Sequence, residues 1–386
     1  MFKKPIIFKA LLIISFFSIA NDEKNSLIEV YKKDSNISSI DIVIKDNIDI
    51  KNRVTSAGSI ALKDNIAKSN AFIINKLLKS NYFILGKANL SEWANFRSED
   101  SVSGWSSYGG QTRHFLHDNY NPCGSSSGSA VAVAAGIVDI AIGTETNGSI
   151  SCPSSINGIV GMKPTTGLVS RSGIIPISSS QDTAGPMGSS VEIVAKTLEV
   201  ISGVDINDPA TLLIPADFNY NFSEEISNLR LDGVRFGLLN SKSKDPVVIK
   251  LHNELKKIVA SLGGIVIDID DERIYPEDAE YYILLYEFRV GLEKYLKNSS
   301  SSNKTLEEII KFNDSNKELM MPYFGQDIFY KSIESDSYIK YQLAKQKIKN
   351  SYKQTIRLLN KYELDAFIGL TRGPAWKINY AGGDYK

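Results

Sequence analysis

Short apolar runs alternate along this chain with longer stretches of helical periodicity. The runs Ile40–Ile44, Tyr82–Gly86 and Val138–Gly143 have the length and composition of buried strands. The stretches Ala67–Lys79 and Ser189–Gly203 have the periodicity of amphipathic helices. Such alternation predicts an α/β fold with a central twisted sheet, mostly parallel or mixed, flanked by helices. The pattern continues with predicted strands and helices at Val234–Leu239, Pro246–Leu262, Ile265–Ile269, Glu277–Lys297, Ser337–Lys361 and Leu364–Leu370.

Two segments lack a regular apolar pattern. Asn21–Ser39 is polar, and we expect either a poorly ordered lead-in or a short helix there. Asn89–Tyr120 is rich in loop residues and carries scattered aromatic side chains. Long aromatic loops of this kind often surround an active site. The second segment is therefore a candidate wall of a binding site.

Two loops of small residues carry the most information about function. The first reads N-P-C-G-S-S-S-G-S from Asn121, and the second reads G-T-E-T-N-G-S-I-S-C-P from Gly143. Between them lie an apolar run over Ser129–Gly136, which predicts a buried helix, and the strand described above. Small residues allow a backbone to approach a ligand closely and leave N–H groups free to bind it. We therefore expect a serine from each loop to face the same point.

Ser149 is the candidate nucleophile of the second loop. It follows an Asn-Gly pair, so its hydroxyl would be exposed at a tight turn. The backbone N–H groups of Thr146, Asn147 and Gly148 would point into the same space, as an oxyanion hole requires. An ordinary turn without a catalytic role is the alternative interpretation of this loop.

A serine nucleophile also needs a base. His114 and His117 lie in the aromatic segment and would allow a Ser-His-Asp triad if one of them reached Ser149, whereas His252 falls in no motif. Lys45 ends an apolar strand and is the other candidate, provided that burial lowers its pKa enough to make it neutral. The alternative for Lys45 is a strand-end lysine paired with Asp46.

These segments together resemble the amidase signature family. The family has a K-D strand end, a G-G-S-S-G-G-S loop and a G-T-D-x-G-G-S-I-R-x-P loop, and here they read V-I-K-D-N, C-G-S-S-S-G-S and G-T-E-T-N-G-S-I-S-C-P. Similarity also covers G-K-A-N-L-S-E-W-A-N-F, G-W-S-S-Y-G-G-Q-T-R and G-L-V-S-R-S-G-I-I-P-I-S-S-S-Q-D-T-A-G-P-M. The resemblance extends from about residue 40 to the end and is greatest to the bacterial peptide amidases, which remove the C-terminal amide of peptides.

The resemblance implies a role for each matching residue. Ser149 corresponds to the nucleophile that forms the acyl-enzyme, and Lys45 corresponds to the general base. Ser125 corresponds to the serine of a cis peptide that relays the proton between them, and Ser126 to a residue that holds the lysine. The backbone of the oxyanion hole and substrate site corresponds to Thr146, Asn147 and Gly148.

The implied reaction is hydrolysis of a carboxamide C–N bond, on a peptide C-terminal amide or a small amide, and it requires no cofactor and no metal. Asn147 stands where the family usually has glycine, but only the backbone is needed there. Ser151 stands where many members have arginine, which the peptide amidase branch also lacks.

Composition limits the partners. Lys and Arg together number 44, as do Asp and Glu, so the formal net charge of the 386 residues is zero. This balance gives no electrostatic reason to expect nucleic acid or an anionic membrane surface. The oligomeric state is not indicated.

The first residues predict a secretory signal peptide over residues 1–20, because a basic start precedes a short apolar stretch and then small residues. Cleavage would place the protein in the periplasm or outside the cell, and an uncleaved membrane anchor is the alternative. Such compartments permit disulfides. Of Cys123 and Cys152, however, we expect two buried thiols that pack beside the site rather than a disulfide.

Both ends of the chain differ from the family pattern. The lead into the lysine strand is short, and the chain stops at Lys386 soon after an A-W-K-I segment. We therefore expect an amidase signature domain over residues 40–386, shortened at its start and lacking C-terminal strands. The alternatives to an active amidase are a truncated, inactive amidase remnant and an amidotransferase-type subunit.

Overall fold

The computed structural model describes residues 22–33, 38–224, 226, 230–240 and 244–385, without the side chain of Tyr385. The predicted signal peptide lies outside these ranges. The chain divides into two compact units. The first unit comprises Met1–Phe222, Glu287–Glu334 and Pro374–Lys386, and the second comprises Ser223–Tyr286 and Ser335–Gly373.

A six-stranded sheet is the framework of the first unit. The strands of this unit are β1 (Leu27–Val30), β2 (Ile40–Lys45), β3 (Tyr82–Ala88), β4 (Trp105–Ser106), β5 (Gly110–Gln111), β6 (Ile140–Glu145), β7 (Val160–Gly161) and β8 (Thr183–Gly188). The order across the sheet is β1-β3-β2-β6-β8-β7, while β4 and β5 form a separate hairpin. Strand β2 is parallel to β3 and β6, and the other three pairings of the sheet are antiparallel. The prediction of a mixed sheet is therefore confirmed.

The second unit contains a smaller sheet. Its three parallel strands are β9 (Arg235–Leu239), β10 (Ile265–Ile269) and β11 (Ala366–Ile368), in the order β10-β9-β11. The strands predicted from the later apolar runs are thus found, with β11 shorter than expected.

Ten α-helices lie in the described ranges, and none of them is long and apolar enough to cross a membrane. The helices are α1 (Phe72–Leu78), α2 (Ser127–Ala134), α3 (Ser151–Asn157), α4 (Val191–Ile201), α5 (Pro246–Ser261), α6 (Glu277–Asn298), α7 (Leu306–Ser315), α8 (Lys317–Met320), α9 (Asp327–Glu334) and α10 (Tyr338–Tyr362). Short 3₁₀ turns lie at Ile60–Leu62, Glu92–Asn95, Pro209–Leu213 and Gly383–Tyr385.

Alternation along β2 places apolar residues on both faces of the sheet. Ile42 and Ile44 belong to one core cluster, which also contains buried residues of α1 and α4. Val43 belongs to a second cluster, with Ala132 of α2 and Ala141 of β6. Because side chains of a strand point alternately to its two faces, Lys45 lies on the same face as Val43. This is the face that α2 covers.

Some predicted elements were wrong or misplaced. The segment predicted as a disordered lead-in or helix contains strand β1, which pairs antiparallel with β3. Cross-strand pairing stabilises it where its own sequence shows little preference. Helix α1 begins at Phe72 rather than Ala67, because the backbone of Ala67 is bonded to Asn52 and Arg53 instead. Strand β8 and helix α3, which were not predicted, complete the surroundings of the second small-residue loop.

Candidate active site

Lys45 is the last residue of β2, and its side chain is completely buried. Its Nζ donates hydrogen bonds to the hydroxyls of Ser125 at 2.7 Å and Ser126 at 2.9 Å. A third bond of 3.0 Å goes to the carbonyl oxygen of Thr144. A lysine ammonium has three N–H donors, so these contacts satisfy all of them with uncharged oxygens.

Burial lowers the pKa of Lys45 to about 7, although the carboxylates of Glu145 and Asp182 act in the opposite direction. This shift makes the neutral amine of Lys45 accessible near neutral pH. The alternative in which Lys45 pairs with Asp46 is wrong. Asp46 forms a buried ion pair with Lys87 instead, at 2.9 Å.

The first small-residue loop is closely packed around Ser125. The peptide bond between Gly124 and Ser125 is cis, as the resemblance implied. A Cβ atom at Gly124 would lie only 2.2 Å from Ser91 Oγ, so no larger residue fits there. The N–H of Ser91 also donates to the carbonyl of Ser125 at 3.0 Å. Ser126 precedes helix α2, and its hydroxyl donates to Thr144 O at 3.1 Å, which ties the loop to β6.

Ser149 lies between β6 and α3, and 7% of its surface is exposed. It lines a cavity of about 720 Å³ together with Ser125 and Thr146. The two serine loops are in direct contact, since the N–H of Ser126 donates to Ser149 O at 3.1 Å. Within the described residues, no hydrogen bond joins the hydroxyls of Ser125 and Ser149 in this conformation. Catalytic hydrogen bonds are often longer before substrate binds.

The predicted oxyanion hole consists of the backbone N–H groups of Thr146, Asn147 and Gly148. Thr146 lines the cavity, and Asn147 is exposed to solvent. The N–H of Gly148 donates to Glu145 Oε1 at 2.8 Å, so it does not point freely into the cavity as expected. The Glu145 carboxylate, which lies in the same loop, therefore competes with a substrate oxygen for the N–H of Gly148.

Glu145 was not identified from the sequence as a site residue. Its carboxylate accepts the N–H groups of Ile150 and Ser151 at 2.7 and 2.8 Å, in addition to that of Gly148. These bonds fix the turn on both sides of Ser149. The only available signal was an acidic residue four positions before the candidate nucleophile.

Asp182 is a second acidic residue that sequence reasoning missed. It accepts a bond of 2.6 Å from Thr146 Oγ1 and two further bonds from the backbone N–H groups of Ile177 and Ser178. Burial raises its pKa to about 6. Asp182 follows Ser149 by more than 30 residues, and only strand β8 brings it to the cavity.

The histidine alternative is not supported. His114 Nε2 lies 3.0 Å from the carbonyl oxygen of Ile156, and its ring stacks on that of His117. No histidine is among the described residues that line the cavity. Where the structure describes the chain, no three His, Cys, Asp or Glu side chains are grouped to hold a metal ion.

The expectation of two separate thiols is wrong, because Cys123 and Cys152 form a disulfide with their Cα atoms 6.0 Å apart. Cys123 belongs to the first serine loop. Cys152 lies near the end of the second serine loop, in the first turn of α3. The contact between the two loops brings the sulfur atoms together. Sequence separation alone could not indicate this.

Comparisons with known proteins agree with this arrangement. The family model described as Amidase matches residues 15–382. The chain is 35% identical over 350 residues to a probable amidase of Arabidopsis thaliana, covering 86% of this chain and 66% of that protein. It is 35% identical over 333 residues to a putative amidase of Schizosaccharomyces pombe, covering 77% of this chain and 56% of that protein.

Among solved structures, the native peptide amidase of Stenotrophomonas maltophilia superposes with a TM-score of 0.87 and 36% identity, over 95% of this chain and 81% of that one. The chain spans 66% of the length of the Arabidopsis thaliana amidase and 56% of the length of the Schizosaccharomyces pombe amidase. The family model nevertheless covers nearly all of this chain, and the sheet carries the lysine and both serine loops. The chain belongs to the amidase signature family, and a peptide amidase is among its structural neighbours.

Proposed function

We propose that this protein hydrolyses the C–N bond of a carboxamide with Ser149 as nucleophile and Lys45 as base. One observation carries the proposal. A completely buried lysine, with no carboxylate partner among the described residues, lies 2.7 Å from Ser125 Oγ, and Ser125 lines the same cavity as Ser149. Such a lysine has no obvious structural purpose, and perturbed titratable groups in a cavity are typical of functional sites.

In the first step, Ser149 Oγ attacks the amide carbonyl carbon. Its proton passes to Ser125 Oγ while the proton of Ser125 passes to the neutral Nζ of Lys45. The substrate oxygen becomes negative, and the reaction requires backbone N–H groups of the second serine loop to stabilise it. The C–N bond then breaks, and the proton returns from Lys45 through Ser125 to the leaving nitrogen. Ammonia leaves, and the acyl group remains as an ester of Ser149.

In the second step, water attacks the ester carbonyl and gives a proton to Lys45 through Ser125. The bond between the acyl carbon and Ser149 Oγ breaks, and that oxygen takes the proton back. The products are a carboxylic acid and the free enzyme. Lys45 is therefore base and then acid in each half of the cycle, which requires a pKa near the working pH.

The substrate is a peptide with a C-terminal amide or a small carboxamide. Two observations support this class. The cavity of about 720 Å³ is within the range of small-molecule sites. The peptide amidase of Stenotrophomonas maltophilia also has the same fold at 36% identity.

The proposal is tested with the chain from residue 21 onward. The protein is treated with a fluorophosphonate probe, and ammonia release is measured from a peptide amide and from small carboxamides. We expect labelling and ammonia release in the unsubstituted protein and in Ser155→Ala, an exposed serine of α3. Both signals should be lost in Ser149→Ala.

Two other results would change the interpretation. A folded, soluble protein that never labels would contradict the active enzyme and support the inactive remnant. Ammonia release from glutamine alone, with none from peptide amides, would support the amidotransferase-type subunit.

We also propose that residues 1–20 direct export to the periplasm or beyond, with residues 40–386 as the amidase signature domain. The disulfide between Cys123 and Cys152 supports an oxidising compartment, because disulfides are rare in the cytosol. Fractionation of cells that express the full chain tests this, with N-terminal sequencing to detect cleavage. Recovery of the uncleaved protein in the cytosol would contradict it.

A further inference from the structure

The disulfide joins the two loops that carry the candidate catalytic serines. Cys123 is two residues before Ser125, and Cys152 is three residues after Ser149. Both cysteines are 5% exposed. The crosslink therefore lies within a few residues of the atoms that the proposed reaction must align.

The two loops differ in how their surroundings hold them. In the first loop, a Cβ at Gly124 would meet three serine hydroxyls within 3.0 Å, so this backbone is enclosed. In the second loop, a Cβ at Gly148 would meet no atom within 4 Å. The turn around Ser149 is held by hydrogen bonds to the Glu145 carboxylate, which belongs to the same loop. The second loop carries one large apolar side chain, that of Ile150, which is fully buried in a cluster with Ala130 of α2 and Met187 of β8.

The non-covalent links between the loops include several hydrogen bonds. Ser126 Oγ donates to Thr144 O at 3.1 Å and accepts from the N–H of Thr144 at 3.2 Å. The N–H of Ser126 donates to Ser149 O at 3.1 Å. Asn157 Nδ2, at the end of α3, donates to Pro122 O at 2.8 Å. Hydrogen bonds of this kind open and close during local fluctuations, whereas a covalent crosslink does not.

We infer that the Cys123–Cys152 disulfide is a positioning element, which holds the second loop against the enclosed first loop so that Ser149 stays aligned with Ser125 and Lys45. This inference rests on the proposed function. Relay of a proton through two hydroxyls tolerates little displacement, and a misplacement of about 1 Å reduces the rate by about 10²-fold. Substrate binding depends on the rest of the cavity and is less sensitive.

The inference predicts a specific kinetic effect. In Cys123→Ser/Cys152→Ser, kcat for a peptide amide should fall by roughly 10- to 100-fold while KM changes by less than about threefold. The rate of fluorophosphonate labelling at Ser149 should fall in parallel. Circular dichroism identifies a temperature at which every variant is folded, and the assays are made there.

A matched control separates positioning from general stabilisation. Leu358 is buried in α10 of the second unit, and Leu358→Ala lowers the melting temperature without changing either loop. We expect this variant to keep the kcat of the unsubstituted protein. A similar loss of kcat in both variants, or an unchanged kcat in the cysteine variant, would overturn the inference.

Reduction of the unsubstituted protein provides the second measurement, which also decides the matter if the cysteine variant does not fold. Treatment with a phosphine reductant should lower kcat, and reoxidation should restore it. Activity that is unaffected while thiol alkylation shows complete reduction would overturn the inference, as would two free thiols in the untreated denatured protein. If the unsubstituted protein neither labels nor releases ammonia, the proposed function itself fails, and this inference with it.

Discussion

Lys45 and Lys87 lie on neighbouring strands and are equally buried, yet their surroundings differ completely. In the register of β2 and β3, Lys87 is opposite Ile44, one residue before Lys45. Lys87 Nζ is 2.9 Å from a carboxylate oxygen of Asp46 and 2.7 Å from the carbonyl of Ile48. In the part of the chain that the structure describes, the hydrogen bonds of Lys45 Nζ go to hydroxyl and carbonyl oxygens. Lys87 is thus part of a structural ion pair, whereas Lys45 is suited to act as a base.

The difference has a simple geometric origin. Successive residues along a strand point to opposite faces of the sheet. Asp46 directly follows the last residue of β2, and it therefore points away from Lys45 although the two are adjacent in sequence. It reaches the face of Lys87 instead. A buried amine can lose its proton near neutral pH only if no negative group lies directly against it. Burial alone therefore does not distinguish a catalytic lysine from a structural one.

The largest expected effect is the loss of activity in Lys45→Met. Removal of the base should lower kcat/KM for a peptide amide by about 10²- to 10⁴-fold. The fold should persist, because the substitution leaves no charge without a partner. Steady-state ammonia release and circular dichroism measure the two effects. The control is Lys347→Met, an exposed lysine of α10, which should keep full activity. Activity of Lys45→Met within threefold of the unsubstituted protein would exclude Lys45 as the base.

Lys87→Met should have its main effect on stability. It leaves the Asp46 carboxylate buried without its ion-pair partner, and the free energy of unfolding should fall by about 3–5 kcal/mol. Urea denaturation followed by fluorescence measures this. The double variant Asp46→Asn/Lys87→Met removes both charges and should recover much of the loss. If the double variant is no more stable than the single one, the ion pair is not what Lys87 contributes.

Much of the site could be predicted because its chemistry lies in contiguous motifs. Lys45, Ser125 and Ser149 each lie in a short segment that matches a family motif, and the resemblance implied their roles. Contacts between distant segments could not be predicted in this way. The two loops were expected to meet, but the disulfide also requires the side chains of Cys123 and Cys152 to face each other, which no residue type indicates. Asp182 reaches Thr146 only through the antiparallel pairing of β6 with β8.

The same distinction applies to the fold. Strands with strong apolar runs, such as β2 and β10, were predicted nearly to the residue. Strand β1 has a mixed sequence and is stabilised by pairing with β3, so its own residues did not indicate it. Strand β8 contains two glycines and a proline, which argue against a strand when read alone.

The pH dependence of activity extends the comparison of the two lysines. Only neutral Lys45 can accept a proton, and its pKa is about 7. We therefore expect kcat/KM to fall about tenfold per pH unit well below pH 7 and to level off above it. Initial rates across pH 5–9, in buffers of constant ionic strength, measure the profile. The Lys45→Met variant should lose this acid limb, and a profile that is flat across pH 7 in the unsubstituted protein would contradict the assignment.

The smallest expected effect concerns Asp182, whose charge influences the pKa of Lys45 without forming an ion pair with it. Its carboxylate raises the pKa of Lys45 from a distance, against the larger effect of burial. Asp182→Asn removes that charge and keeps an oxygen to accept the bond from Thr146. The pKa of Lys45 should then fall, and the acid limb of kcat/KM should move to lower pH. Glu254→Gln, in α5 of the second unit, is the charge-matched control and should leave the limb in place. If the limb instead stays in place or moves to higher pH in Asp182→Asn, the charge of Asp182 does not raise the pKa of Lys45. Burial and the Glu145 carboxylate would then be what sets the protonation of Lys45.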